Sequence, residues 1–220
     1  MLEMKILANR EEWLKNRNRI GGSDASAILG MNPYISNTKL YRIKTGQMEV
    51  EDISEKSYVK YGTEAEKHLR ELFKLNFPEY KVEYIENNMF LNDKYPFAHA
   101  SLDGWITDQN GRKGVWECKT ANILQSMQRK KWKDRVPDNY YIQILHYLMV
   151  TEFDFVELTA QLKNEYTDTF GVHVVHLETN NYHIERSEVE QDIQCLEQAE
   201  REFWQRVIDR REPNYILPKF

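Results

Sequence analysis

Apolar and polar positions change period several times along this chain, and each change marks an element. Between Ser54 and Phe77 the residues Val59, Leu69, Leu72, Phe73 and Leu75 recur at helical spacing. They predict a long helix with one buried stripe, closed by Pro78. A second helix is predicted from Pro137 through Met149, and a third, amphipathic one over 185–211 carries Val189, Ile193, Leu196, Phe203, Trp204 and Val207. Nearer the start, Ser23 reads as the N-cap of a short helix over 24–29 ended by Gly30. Another short helix over 38–45 ends at Gly46, with an Asn32-Pro33 turn before it. Strand signals fill the gaps: an irregular strand over 80–91, then Phe153–Leu162 and Phe170–Leu177 joined by the polar loop NEYTDT. This order implies an α/β fold, a central mixed sheet flanked by helices. It is expected to form a single unit over 1–220: a helical segment 1–78 packed on a sheet core 80–180, with the C-terminal helix at 185–211.

The strongest strand signal is the stretch 99–120, HASLDGWITDQNGRKGVWECKT. Trp105 and Ile106 on one arm and Val115 and Trp116 on the other flank a Gln109-Asn110-Gly111 turn. A three-residue loop with Gly in its last, left-handed position is a favoured hairpin closure. That closure pairs Asp108 with Arg112, and counting outward places Asp103 opposite Glu117. Side chains alternate along a strand, so Asp103, Glu117 and Lys119 share one face. Carboxylate oxygens are the ligands Mg²⁺ prefers, and it needs only one or two of them. A lysine beside such an ion can orient a water that attacks a phosphodiester. On these three residues alone, a cross-strand salt bridge on a solvated face is the commoner meaning.

Composition narrows the classes. With 41% hydrophobic and 30% charged residues the chain reads as globular, and no apolar run approaches the ~20 residues that span a bilayer. MLEMKILANREEW lacks an apolar core before a small-residue cleavage site, which predicts no secretory leader and a cytoplasmic location. Two cysteines, Cys118 and Cys195, cannot build a four-thiolate cluster and are read as reduced thiols. The six histidines show no metal-ligand spacing and are assigned structural roles. The net charge of −5 argues against nucleic acid only weakly, because 112–135 holds eight Lys/Arg against two Asp/Glu. Its RKKWK run (129–133) is either a solvated face or a phosphate-binding surface.

Further residues add to the trio. Arg19 precedes a Gly-Gly turn and a helix start, the setting of an anion site or of a plain cap. Glu66, in GTEAEKHLRELF, sits where the long helix can aim it at the hairpin, or at solvent. Gln143 and Tyr147 lie one turn apart and face the same way.

With these in order, the sequence resembles the PD-(D/E)xK nuclease superfamily. Within it the likeness is to the YqaJ-like viral recombinase family, which includes phage lambda exonuclease. The resemblance runs from Arg19 to about Tyr147 and rests on RIGGSDAS (19–26), GTEAE (62–66), ASLDG (100–104), WECKT (116–120) and QILHY (143–147). It implies a restriction-endonuclease-like core in which Asp103 and Glu117 hold a catalytic Mg²⁺, with Mn²⁺ as a substitute. The Cys118 backbone carbonyl would be a further ligand and Glu66 would serve a second ion. Lys119 would orient or activate the water. Arg19, Ser26, Ser101 and Gln143 would form a pocket for a DNA 5′-phosphate, with Tyr147 in support. Leu102 stands where the superfamily signature has proline, a position that supplies no metal ligand.

The implied activity is 5′→3′ digestion of one strand of linear duplex DNA from phosphorylated ends, leaving 3′ single strands for recombination. The implied partners are duplex DNA ends, a single-strand annealing protein and further copies of the chain in a toroidal trimer, with no membrane. The implied setting is a bacterial host carrying a phage or prophage. Two other readings stay open: a structure-specific or restriction-type endonuclease of the same fold, and a DNA-binding subunit without catalysis.

Overall fold

The chain begins with a strand, β1 (Leu2–Ile6), before the helices α1 (Arg10–Asn16), α2 (Gly22–Ile28), α3 (Asn37–Lys44) and α4 (Ser57–Asn76). Two short strands follow, β2 (Lys81–Glu83) and β3 (Asn88–Asn92), and then the hairpin of β4 (Gly104–Thr107) and β5 (Lys113–Asn122). The remainder is α5 (Ser126–Lys130), α6 (Asp138–Thr151), the long strands β6 (Phe155–Thr167) and β7 (His173–Glu185), and α7 (Glu190–Ile208). The computed structural model describes residues 1–217. Among them no helix is long and apolar enough to cross a membrane.

The main sheet has the order β2-β4-β5-β6-β7 and is antiparallel except between β5 and β6. Parallel neighbours need a long crossover, and α6 supplies it. The alternation of β5 then decides the layers. Trp116 and Cys118 point to one side, into a cluster with Leu69 and Phe73 of α4, Ile106 and Phe155. Val115 points to the other, into the larger core built with Ala25 of α2, Ile144 and Leu148 of α6, and Leu196 of α7. Helices thus cover both faces of a mixed sheet. The hairpin has the expected register, Gly104 against Trp116 and Thr107 against Lys113. Asp108 N–H donates to the Arg112 carbonyl (3.0 Å), and Gly111 takes φ +79°, the left-handed value its place in the loop requires.

Four expectations need correction. The first segment is not all helical, because β1 pairs with β3 in a separate two-stranded sheet, and this splits the strand expected over 80–91. Of the apolar stripe expected on α4 only Leu69 and Phe73 are buried; Leu75 is 78% exposed and Leu72 is exposed too, since that helix meets the sheet along a narrow line. NEYTDT is not a loop: most of it extends β6, and the reversal falls at Asp168–Val172. Ser23 does not cap α2. Gly21 is the N-cap residue, and the Asp24 carboxylate accepts its N–H (2.9 Å).

Candidate active site

The turn that presents Asp103 is held by bonds from both sides before any side chain is considered. His99 N–H donates to the Ile20 carbonyl (2.9 Å), and Phe90 and Ala100 exchange a pair of backbone bonds (2.7 and 3.0 Å). Asn88 completes the hold: its amide donates to the Leu102 carbonyl (2.8 Å) and its carbonyl accepts from Leu102 N–H (2.9 Å). A proline at 102 has no N–H to give, so Leu102 and Asn88 form a matched pair. Beyond the turn, Cys118 N–H donates to Asp103 Oδ2 (3.0 Å) and locks the carboxylate against β5.

Glu117 lies opposite, 1% exposed. Its Oε1 accepts from Lys119 Nζ (2.6 Å) and from Gln143 Nε2 (3.1 Å), and Gln143 also donates to the Tyr147 hydroxyl (2.7 Å). The Gly21-Gly22 pair lets α2 come this close, because a Cβ on Gly22 would stand 2.6 Å from the Tyr147 ring. The Lys119 ammonium lies 5.1 Å from the centroid of Tyr140, whose ring stacks on buried Trp132 (5.4 Å). The basic 129–133 segment is therefore pinned beside the site.

Charge in this cluster is out of balance. Burial, then repulsion by Asp103, pushes Glu117 up to about 8, and the same two causes push Glu66 up to about 7. Burial raises Asp103 as well, against the pull of Lys119. Burial alone would lower the Lys119 ammonium, but Glu117, Tyr147 and Asp103 together outweigh it and raise it. Glu117 Oε2 is buried with no hydrogen-bond partner among the described residues. A bare oxygen facing a second carboxylate has the donor chemistry of a hard-cation site. Asp103, Glu117 and the Cys118 carbonyl fit such an ion, and Glu66 borders it. Among the described residues no three His, Cys, Asp or Glu side chains form a ready cage. The set therefore suits a cation that keeps several of its waters.

The expected anion pocket is divided by the structure. Ser101 accepts from Trp13 Nε1 (2.9 Å), and Gln143 stands on Glu117. The Arg19 carbonyl accepts Lys44 Nζ (2.7 Å), and its side chain is half-buried. Ser26 is 2% exposed and accepts from Asn32 (3.1 Å). Because α2 begins at Gly22, Ser26 falls among the helix's buried positions. Arg17 and Ser23 form a further pair beside Trp13, the partner of Ser101. Arg17 lies 4.5 Å over the Trp13 ring and donates to Ser23 (3.4 Å). The spacing of Trp13 and Arg17 at the end of one short helix is the signal that could have shown it. Arg70 was also missed. Its place one turn after Glu66 marks an ion pair, and it donates to Glu66 (3.0 Å) and to the Asp103 carbonyl (2.6 Å).

Comparison with known proteins bears on the fold and the family. The chain is 36% identical over 145 residues to the uncharacterized protein YqaJ of Bacillus subtilis (strain 168), a match that spans 64% of this chain and 42% of that protein. The alkaline exonuclease LHK-Exo from Laribacter hongkongensis superposes with a TM-score of 0.59 at 15% identity, covering 90% of this chain and 95% of its own. It has also been solved in complex with dAMP (TM-score 0.58, 16% identity). A phage related exonuclease from Haemophilus somnus 129PT gives 0.53 at 15%, covering 87% and 96%. At these identities the likeness is one of fold, and the fold is restriction-endonuclease-like. Residues 12–154 match the YqaJ-like viral recombinase domain, and the chain belongs to that family.

Proposed function

We infer that this protein is a metal-dependent deoxyribonuclease that digests one strand of linear duplex DNA in the 5′→3′ direction from phosphorylated ends. The observation that carries the reading is the convergence of Asp103, Glu117 and Lys119 on one side of the β4–β5 hairpin, with Glu117 Oε2 bare. Membership of a recombinase family and the exonuclease names of the structural neighbours support it. Asp103, Glu117 and the Cys118 carbonyl would hold one Mg²⁺ or Mn²⁺, and Glu66 a second. When bound, the ions stabilise charge on the attacking and leaving oxygens of the phosphodiester.

The chain's own groups do the rest. Lys119 is kept charged by Glu117 and orients the attacking water. Gln143 and Tyr147 hold Glu117 in its rotamer. Arg17 and Arg19 grip the terminal 5′-phosphate by charge-assisted bonds, with Ser23, Ser26, Ser101 and Gln143 as neutral partners. The product, a 3′ single strand, would pass to an annealing protein in the cytoplasm of a bacterium carrying the phage or prophage. A ring of three copies would keep the enzyme on its DNA. The test is release of acid-soluble nucleotide from a 5′-phosphorylated linear duplex and from a covalently closed duplex, each in Mg²⁺ and in EDTA. Release from the linear form in Mg²⁺ alone is expected. Cutting of the closed form would make it an endonuclease, and binding without release would make it a DNA-binding subunit.

A further inference from the structure

An arginine one turn after a glutamate on a helix is ordinarily a solvent-exposed pair worth little. Arg70 is not such a residue. It is 7% exposed, and a guanidinium that deep must be partnered on its donors and covered on its faces. One nitrogen, Nη1, donates both to Glu66 Oε1 (3.0 Å) and to the Asp103 backbone carbonyl (2.6 Å). The flat of the group lies 3.8 Å from the Tyr84 ring centroid, and Trp116 is 5.8 Å away. Tyr84 thus fixes the plane of the guanidinium, and the guanidinium fixes Glu66 to the turn that carries Asp103. Among the described residues Glu66 has no other hydrogen-bond partner, so its orientation toward the hairpin depends on this one contact.

We propose that Arg70 is the positioning residue of the second-ion site: its planar fork, held by Tyr84, ties Glu66 to the Asp103 turn and so sets how tightly a cation binds at Glu66. The proposal rests on the reading of Asp103, Glu117 and Glu66 as cation ligands. Shape matters here more than charge. A lysine would keep the positive charge and could reach both acceptors from its one nitrogen, but it could not stack flat on Tyr84 and so would not hold that nitrogen in a fixed place. Removing an outer group that orients a ligand typically costs roughly ten- to a hundredfold in metal affinity.

The experiment is a titration of the full-length protein with Mn²⁺ alone, counting free ion by electron paramagnetic resonance, alongside melting in EDTA. Wild type is expected to bind a tighter and a weaker ion, and Glu66→Gln to lose the weaker. Arg70→Lys should weaken that same ion by about tenfold or more while the tighter one moves by less than about threefold and melting in EDTA stays near wild type. Tyr84→Phe keeps the stacking face and should match wild type; Tyr84→Ala should follow Arg70→Lys. On DNA, Arg70→Lys should lower kcat and leave KM alone.

Wild-type binding of both ions by Arg70→Lys would overturn the proposal and leave Arg70 a counter-charge. Equal weakening of both ions together with a lower melting temperature would overturn it in favour of a plain structural brace. Failure of wild type to bind Mn²⁺ at all would remove the nuclease reading itself, an outcome distinct from either.

Discussion

On one side of α6, Gln143 and Tyr147 reach toward Glu117, Lys119 and Asp103; on another, His146 sits between Glu200 Oε1 (2.8 Å) and the His99 carbonyl (2.9 Å). Both clusters are buried and both contain an unpartnered carboxylate oxygen, Glu117 Oε2 and Glu200 Oε2. The neighbour of that oxygen is what separates them. Both His146 nitrogens face acceptors, an arrangement that favours the protonated ring; burial would lower its pKa, but the Glu200 charge and hydrogen bond, with the His99 carbonyl, raise it. Next to it Asp24 pairs with Lys44 (2.7 Å); burial would raise the carboxyl, but the Lys44 charge and hydrogen bond, with the Gly21 N–H, together lower it. Charges there balance one to one, as a scaffold requires. In the hairpin cluster each carboxylate borders another carboxylate, and all three are pushed up. A fold tolerates such an excess of acid where a cation will share it.

The largest effect should follow from removing one acid. Glu117→Gln or Asp103→Asn is expected to cut nucleotide release by more than about 1,000-fold. Melting in EDTA should not fall much, because a repulsion is relieved. Glu200→Gln should do the reverse: breaking a buried pair costs roughly 3–5 kcal/mol. At about 2–4 °C per kcal/mol for a chain of this size, melting should drop by roughly 6–20 °C, with activity per folded molecule kept in the cold. Swapped outcomes would dissolve the distinction between the clusters.

Lys119→Ala comes next. A water-positioning group acts in the transition state, so a loss of roughly 10²–10⁴ in rate with nearly unchanged duplex binding is expected. Lys119→Arg should rescue poorly. Equal losses in rate and binding would make Lys119 a phosphate contact.

Smaller again is the end preference. Charge-assisted bonds to a terminal phosphate are worth ~1.5–3 kcal/mol, so Arg17→Ala should cost roughly ten- to a hundredfold on phosphorylated ends and little on hydroxyl ends. Arg19→Ala should cost less on both. The comparison is four rates, each variant on each end, and a larger selective loss at Arg19 would restore the pocket to the residues expected from sequence.

The finest test is pH. The folded cluster binds protons that the unfolded chain releases between about pH 4 and 8, because its carboxyls titrate higher when folded. Its contribution to stability is therefore full at low pH and falls as pH rises through that window. Glu117→Gln lacks much of that loss, so its melting temperature in EDTA should gain on wild type from pH 5 to pH 8. A constant gap would mean that the acids are not crowded.

The hairpin was legible because two local rules agreed: alternation set the faces, and Gly111 at the left-handed position set the register. Glu66 and Gln143 were legible as positions on helices, whereas their partners were not. Arg70 reads as an ordinary surface residue until α4 packs it against Tyr84 and Trp116, and Asn88 reads as part of a single strand until β2 and β3 part into different sheets. Ser23 and Ser26 differ by three residues on one short helix. Which of them is buried depends on where α2 starts, and that depends on the approach of Gly22 to Tyr147, a contact between segments far apart in sequence.

The central claim is that the acid excess at the hairpin is a cation site, and anomalous diffraction from crystals soaked in Mn²⁺ tests it most directly. A peak between Asp103, Glu117 and the Cys118 carbonyl that is absent in Glu117→Gln, with a weaker one at Glu66, is the predicted map. A strong peak elsewhere on a protein whose DNA cleavage needs Mn²⁺, with none at the hairpin, would contradict it.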